Sequence, residues 1–128
     1  MPTFTFEKNE RLKSRKAVQQ LFKEGRSFSH YPFRLVWLFM EEQEEPTPVK
    51  FAVSVPKRHY RKATQRNRIK RQIREAYRLN KHILYRGLDP EEPQIAFLVI
   101  FTGKEPFSTK ELKQKMRQMI KRFLKYRK

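Results

Sequence analysis

Cysteine is absent from the 128-residue chain. Neither a disulfide framework nor a thiolate zinc site can form, which excludes disulfide-stapled secreted domains and zinc fingers; a reducing compartment fits this composition. Long apolar runs are also missing. The longest, Ile95–Phe101, falls far short of the roughly 20 residues that span a bilayer. Residues 1–15 alternate aromatic and charged side chains without the apolar stretch of a signal peptide, so a soluble, cytoplasmic protein is expected. Acids are scarce: 13 Asp and Glu face 31 Lys and Arg, a formal net charge of +18 at pH 7. Self-repulsion at this charge makes an abundant polyanion the natural counterpart, nucleic acid ahead of an anionic membrane surface.

Apolar residues are nonetheless sufficient for a modest core, with eleven Phe, five Tyr and one Trp, which argues against a disordered basic tail. Ser14 is placed to cap a first helix carrying Ala17, Val18, Leu21 and Phe22 at helical spacing, with Gly25 as its stop. Residues 31–40 read as a strand covered on both faces, Phe33, Leu35, Trp37 and Phe39 on one side and Arg34, Val36, Leu38 and Met40 on the other. A second strand over 49–55 alternates Val49, Phe51, Val53 and Val55 with small or polar residues. A long basic helix is expected from Ala63 to about Lys81, and Ile95–Phe101 reads as a central strand buried on both faces. Ser108 and Glu111 form a capping box for a last helix striped with Leu112, Met116, Met119, Ile120, Phe123 and Leu124. The order implies a single-domain α+β two-layer sandwich, three helices on a mostly antiparallel sheet of three to four strands over residues 1–128, with short flexible ends at 1–5 and 126–128.

Charge is segregated along the chain. From Lys57 to Arg86 there are twelve Lys or Arg, most of them Arg, against the single acid Glu75. Seven acids sit instead in two loops, Glu41, Glu42, Glu44 and Glu45 in one and Asp89, Glu91 and Glu92 in the other, where they are expected to repel wrong partners. At about 100° per residue, Ile69, Ile73, Ala76 and Tyr77 share the core-facing arc, and Arg66, Lys70 and Arg74 border it. The row is expected to face a groove where helix meets sheet and to suit phosphates, with Lys57, Arg58, Arg61 and Lys62 extending it toward the positive end of the helix dipole. A solvated helix face is the plain alternative. The near absence of acids for i, i+4 pairing and the planar forks of arginine favour nucleic acid.

The string Arg66-Asn67-Arg68-Ile69-Lys70-Arg71-Gln72-Ile73-Arg74-Glu75 resembles the R-N-R-x-K-R-x-x-R-E signature of the bacterial ribonuclease P protein subunit. Val53-Ser54-Val55 and Lys57 precede it as in that family, and Leu21-Phe22-Lys23-Glu24-Gly25 followed by Phe33-Arg34-Leu35 is similar to the family's first helix and strand. The resemblance extends over residues 6–123. It implies a small partner of a catalytic RNA that removes the 5′ leader of precursor transfer RNA, with cleavage performed by that RNA and its magnesium ions, no protein active site, and one protein for each RNA. By the same resemblance Arg66, Asn67, Arg68, Lys70, Arg71 and Arg74 contact the catalytic RNA. A groove between the first helix and the sheet receives the single-stranded leader at Val18, Phe22, Phe33 and Val36. A left-handed βαβ crossover is also implied by the family. Arg61-Lys62-Ala63-Thr64 replaces the family's Gly-Asn-Ala-Val turn, and Val18 and Val36 stand where the family often has aromatics, which implies base stacking that is weaker there or shifted to Phe22 and Phe33.

Several competing readings remain at this level. Phe22 and Phe33 are more readily core side chains than groove residues, Trp37 is expected to pack, and Met116 and Met119 are core residues first. His30, His59 and His82 match no ligand pair. A protein-borne nuclease would need converging carboxylates, which the proline-rich acidic stretches do not suggest. A membrane-surface role would need a larger apolar helix face. A ribosomal-protein-like or chaperone-like binder of structured RNA leaves the signature unexplained.

Overall fold

The computed structural model describes residues 10–40 and 47–127. Its elements in chain order are α1 (Arg15–Glu24), β1 (Arg26–His30), β2 (Phe33–Phe39), β3 (Val49–Ser54), α2 (Ala63–Gly87), β4 (Ile95–Phe101) and α3 (Thr109–Tyr126). The strands form one sheet in the order β1-β2-β4-β3. β1 pairs antiparallel with β2 and β2 with β4, while β3 and β4 run parallel and are joined through α2. The first of the acidic loops, with Glu41, Glu42, Glu44 and Glu45, lies outside the described residues, as do residues 1–5.

The central place of β4 follows from its composition. Ile95, Phe97, Val99 and Phe101 enter one hydrophobic cluster and Ala96 and Leu98 the other, so apolar side chains on both faces leave water. The larger cluster receives α2 through Ile69, Ile73, Ala76 and Tyr77 and α3 through Leu112, Met116, Met119, Ile120 and Phe123. Rings fix the contact: Phe51 stacks on Tyr77 at 3.9 Å and 8°, and Phe123 meets Trp37 and Phe97 edge-on at 5.2 and 5.1 Å. On the opposite face α1 places Leu21 against Val36, Ala96 and Leu98. Two helices thus form the expected layer, and the third covers the other side of the sheet.

Local signals set the boundaries. The Ser14 hydroxyl accepts from the Ala17 amide at 3.2 Å, and Ser108 and Glu111 close the capping box of α3. α2 runs past Lys81 to Gly87 because its last turns still meet apolar partners, with Leu84 fully buried. β1, Arg-Ser-Phe-Ser-His, carries no strand pattern of its own; its backbone is organised by pairing with β2. Tyr126 closes α3, and Arg127 donates to Glu92 and to the Gly87 and Leu124 carbonyls; Lys128 lies outside the described residues.

The segment Glu10–Leu12 runs along the outer edge of β3, where the Leu12 amide donates to the Phe51 carbonyl at 2.8 Å and Arg11 bridges Phe51. Glu10 is buried there. Its carboxylate accepts from Lys81 Nζ at 2.8 and 2.9 Å and from the Tyr85 hydroxyl at 2.8 Å. Truncating one member of a buried ion pair strands the other charge. Glu10→Ala is therefore expected to lower unfolding free energy by about 3 kcal/mol in urea titration, and the double change Glu10→Leu with Lys81→Met to recover most of it.

Candidate nucleic-acid interface

A cleft of about 480 Å³ opens between α1 and the sheet. Leu21, Phe22 and Gly25 form its helical wall, Ser27, Arg34, Val36 and Ile100 come from the strands, and Pro56, Arg58 and His59 lie beyond β3. The strand alternation that points Leu35 and Trp37 into the large core turns Arg34 and Val36 the other way. Arg34 is exposed and donates to Ser27 Oγ at 3.3 Å. Phe22 is 64% exposed although it sits on a helical stripe with Leu21, which is wholly buried. An aromatic ring open to solvent, with Arg34 and Arg58 in the same cleft, offers a stacking platform beside cations.

The groove differs from the sequence reading at two positions. Phe33 is fully buried against Phe101 in the core beneath α2 and α3, since strand alternation sends it to the sheet face away from α1. It therefore does not line the cleft. Val18 is half-buried and also outside the lining, whereas Phe22 and Val36 are within it. Ser27, Arg34 and His59 were not singled out as groove residues, though the outward position of Arg34 was legible in the alternation of β2.

The basic candidates divide by location. Arg58 lines the cleft; Lys57, Arg61 and Lys62 are exposed on the turn leading into α2. Arg66 reaches back to donate to the Tyr60 carbonyl at 2.8 Å and the Arg61 carbonyl at 2.7 Å, so it holds that turn in shape. Asn67, Arg68 and Arg71 are exposed, and Arg68 borders a second, smaller cleft of about 260 Å³ with Tyr60, Gln65, Gln72 and Phe107. Lys70 is half-buried. Arg74 is exposed on the surface of α2; partial desolvation lowers its guanidinium from the ordinary value, and the neighbouring Arg11 cation adds to the effect. The furrow expected between α2 and the sheet is thus partly taken by residues 10–12, and Lys81 is neutralised there by Glu10. Arg78 pairs with Glu75, whose carboxyl its hydrogen bond holds below the usual range. In the second acidic loop Glu92 is engaged by Arg127 as a structural tie, while Asp89 and Glu91 are exposed.

The polar lining of the larger cleft is Ser27, Arg34, Arg58, His59 and Thr102, with no carboxylate. Hard divalent cations take oxygen ligands, usually including carboxylates, so this donor set does not fit a resident magnesium. Among the described residues no three His, Asp or Glu side chains converge, and no described helix is long and apolar enough to cross a membrane.

A family model described as Ribonuclease P matches residues 6–125. The chain belongs to the ribonuclease P protein family. It is 41% identical over 112 residues to the ribonuclease P protein component of Porphyromonas gingivalis, covering 86% of this chain and 81% of the relative. The corresponding component of Thermotoga maritima is 37% identical over 87 residues, 68% of this chain and 70% of that one. The solved ribonuclease P protein of T. maritima superposes with a TM-score of 0.68 at 25% identity, covering 88% and 96% of the two chains. That of Staphylococcus aureus, at 22% identity, shares the fold with a TM-score of 0.67 over 88% and 93%. Ribonuclease P proteins are part of an endoribonuclease ribonucleoprotein, so an RNA partner comes with the family.

Gly25 sets the width of the cleft. Its backbone is ordinary extended chain, φ −67°, yet a Cβ there would collide with the Leu21 carbonyl oxygen and lie 2.8 Å from Val36 Cγ1. Gly25→Ala should push α1 off the sheet and cost about 1–3 kcal/mol as an overpacking change, read as a lower urea midpoint.

Proposed function

We propose that this ribonuclease P protein binds the catalytic RNA through the turn and signature face of α2, Lys57, Arg58, Arg61, Lys62, Asn67, Arg68, Lys70, Arg71 and Arg74, with Arg66 shaping the turn. The cleft between α1 and the sheet then receives the unpaired 5′ leader of precursor transfer RNA. The observation that carries this reading is the exposed Phe22 ring in a cleft that also holds Arg34 and Arg58 and has no carboxylate in its lining. Stacking on such a ring is indifferent to base identity, and the guanidinium groups follow the backbone. Cleavage belongs to the RNA and to magnesium held by the RNA and substrate; the protein orients substrate and neutralises phosphates, in the cytoplasm, one chain to each RNA.

The deciding experiment incubates the chain with precursor transfer RNA at low magnesium, with and without the cognate catalytic RNA. Cleavage only in combination supports the assignment, and cleavage by the protein alone overturns it. Substrate affinity in the combined particle should rise as the leader grows from none to several nucleotides. Phe22→Ala should remove about 1–3 kcal/mol of affinity for a leader-bearing substrate while leaving leaderless substrate and the urea midpoint unchanged. Arg68→Ala should weaken catalytic-RNA binding and reduce the slope of log affinity against log salt by about one; titration of binding against salt concentration measures both.

A further inference from the structure

The α2 signature is not the only concentrated charge. α3 carries seven Lys or Arg and one acid, Glu111, and that acid is occupied in the capping box with Ser108. Lys113, Arg117, Lys121 and Lys125 recur at intervals of four and are all exposed. At 1.5 Å of rise per residue they form a row about 18 Å long. None of the four is paired with a carboxylate among the described residues. A face serving solubility alone would alternate sign, whereas like charges four apart repel along the helix. The row is also rigid: the capping box secures one end, and Arg127, bound to Glu92 and the Gly87 carbonyl, secures the other.

We propose that this row is a second RNA-binding face that holds a double-helical segment of the RNA partner by its phosphates. The inference rests on the reading of the chain as part of an RNA-containing particle. Phe123, Met116 and Ile120 direct the opposite side of α3 into the sheet, and α1 lies across that sheet, so the row and the leader cleft lie on opposite sides of the molecule. The chemistry of the row selects its occupant. From Lys113 through Gln114, Arg117 and Gln118 to Lys121 the exposed positions include no aromatic ring, and the exposed Tyr126 stands beyond Lys125 at the helix end, so unstacked bases find no platform along the row. Met116, Met119, Ile120 and Phe123 are used by the core, and the exposed Tyr126 ring is too small an apolar face to seat the helix in a lipid surface. Ammonium groups on flexible stems meet phosphates as point charges, the contact by which duplex RNA is held without base readout.

The test compares the full-length chain with the fourfold variant Lys113→Gln, Arg117→Gln, Lys121→Gln and Lys125→Gln. Two probes are titrated over a range of salt: a blunt RNA duplex of about 16 base pairs and an unstructured single-stranded RNA. The variant should keep the wild-type circular dichroism and urea midpoint. Its duplex affinity should fall about tenfold or more at low salt, with the salt slope reduced by about 3.6 units for four lost phosphate contacts, while single-strand binding stays within about twofold. An unchanged duplex slope overturns the proposal. So does an equal loss on both probes, which would mark a general loss of charge. A wild-type chain that supports cleavage by the catalytic RNA while the variant binds duplex normally overturns the α3 face alone. A wild-type chain that binds neither probe overturns this face and the functional reading together.

Discussion

A chain with eighteen more positive than negative charges folds against its own repulsion, and every other feature depends on how the interior opposes it. The opposition is supplied by β4, whose alternate side chains enter two separate hydrophobic clusters. Because one strand serves both, α1 is held to the same frame as α2 and α3 from the opposite face of the sheet. The charges are left on the outside of a rigid body, where a polyanion meets them already arranged and the ordering cost has been met in folding.

Where positive charge does enter the interior it is matched. Lys81 finds Glu10, and Arg127 finds Glu92. Both acids come from segments distant in sequence, so each pair closes a long loop as well as balancing a charge. Among the cations of α2, Lys81 is thus used to hold the fold, Arg78 pairs within the helix with Glu75, and those near the amino half face solvent or shape the entering turn.

Much of this was legible in the sequence. The alternation in β2 and β3, the double-sided apolar run of β4, the capping box of α3 and the core arc of α2 all follow from residue spacing, because each element's own pattern agrees with its final surroundings. β1 was not legible, since Arg-Ser-Phe-Ser-His acquires its extended form only from the neighbour it pairs with. Nor was the burial of Glu10, because one of two acids, Glu7 and Glu10, in a basic amino-terminal stretch has no periodicity to betray its partner. Phe33 takes the core place that its alternation with Arg34 implies and not the groove place, whereas Phe22, whose helical stripe favours the core, is the ring left open.

The strip of chain from Glu10 to Leu12 has a further consequence. β3 is the last strand on its side of the sheet, and an uncovered edge rich in valine and phenylalanine is a template for pairing with another molecule. By bonding to Phe51 this strip occupies that template and terminates the sheet. A copy that lost it would present a bare, apolar ladder to its neighbours, and self-association into extended sheets would then compete with assembly on RNA.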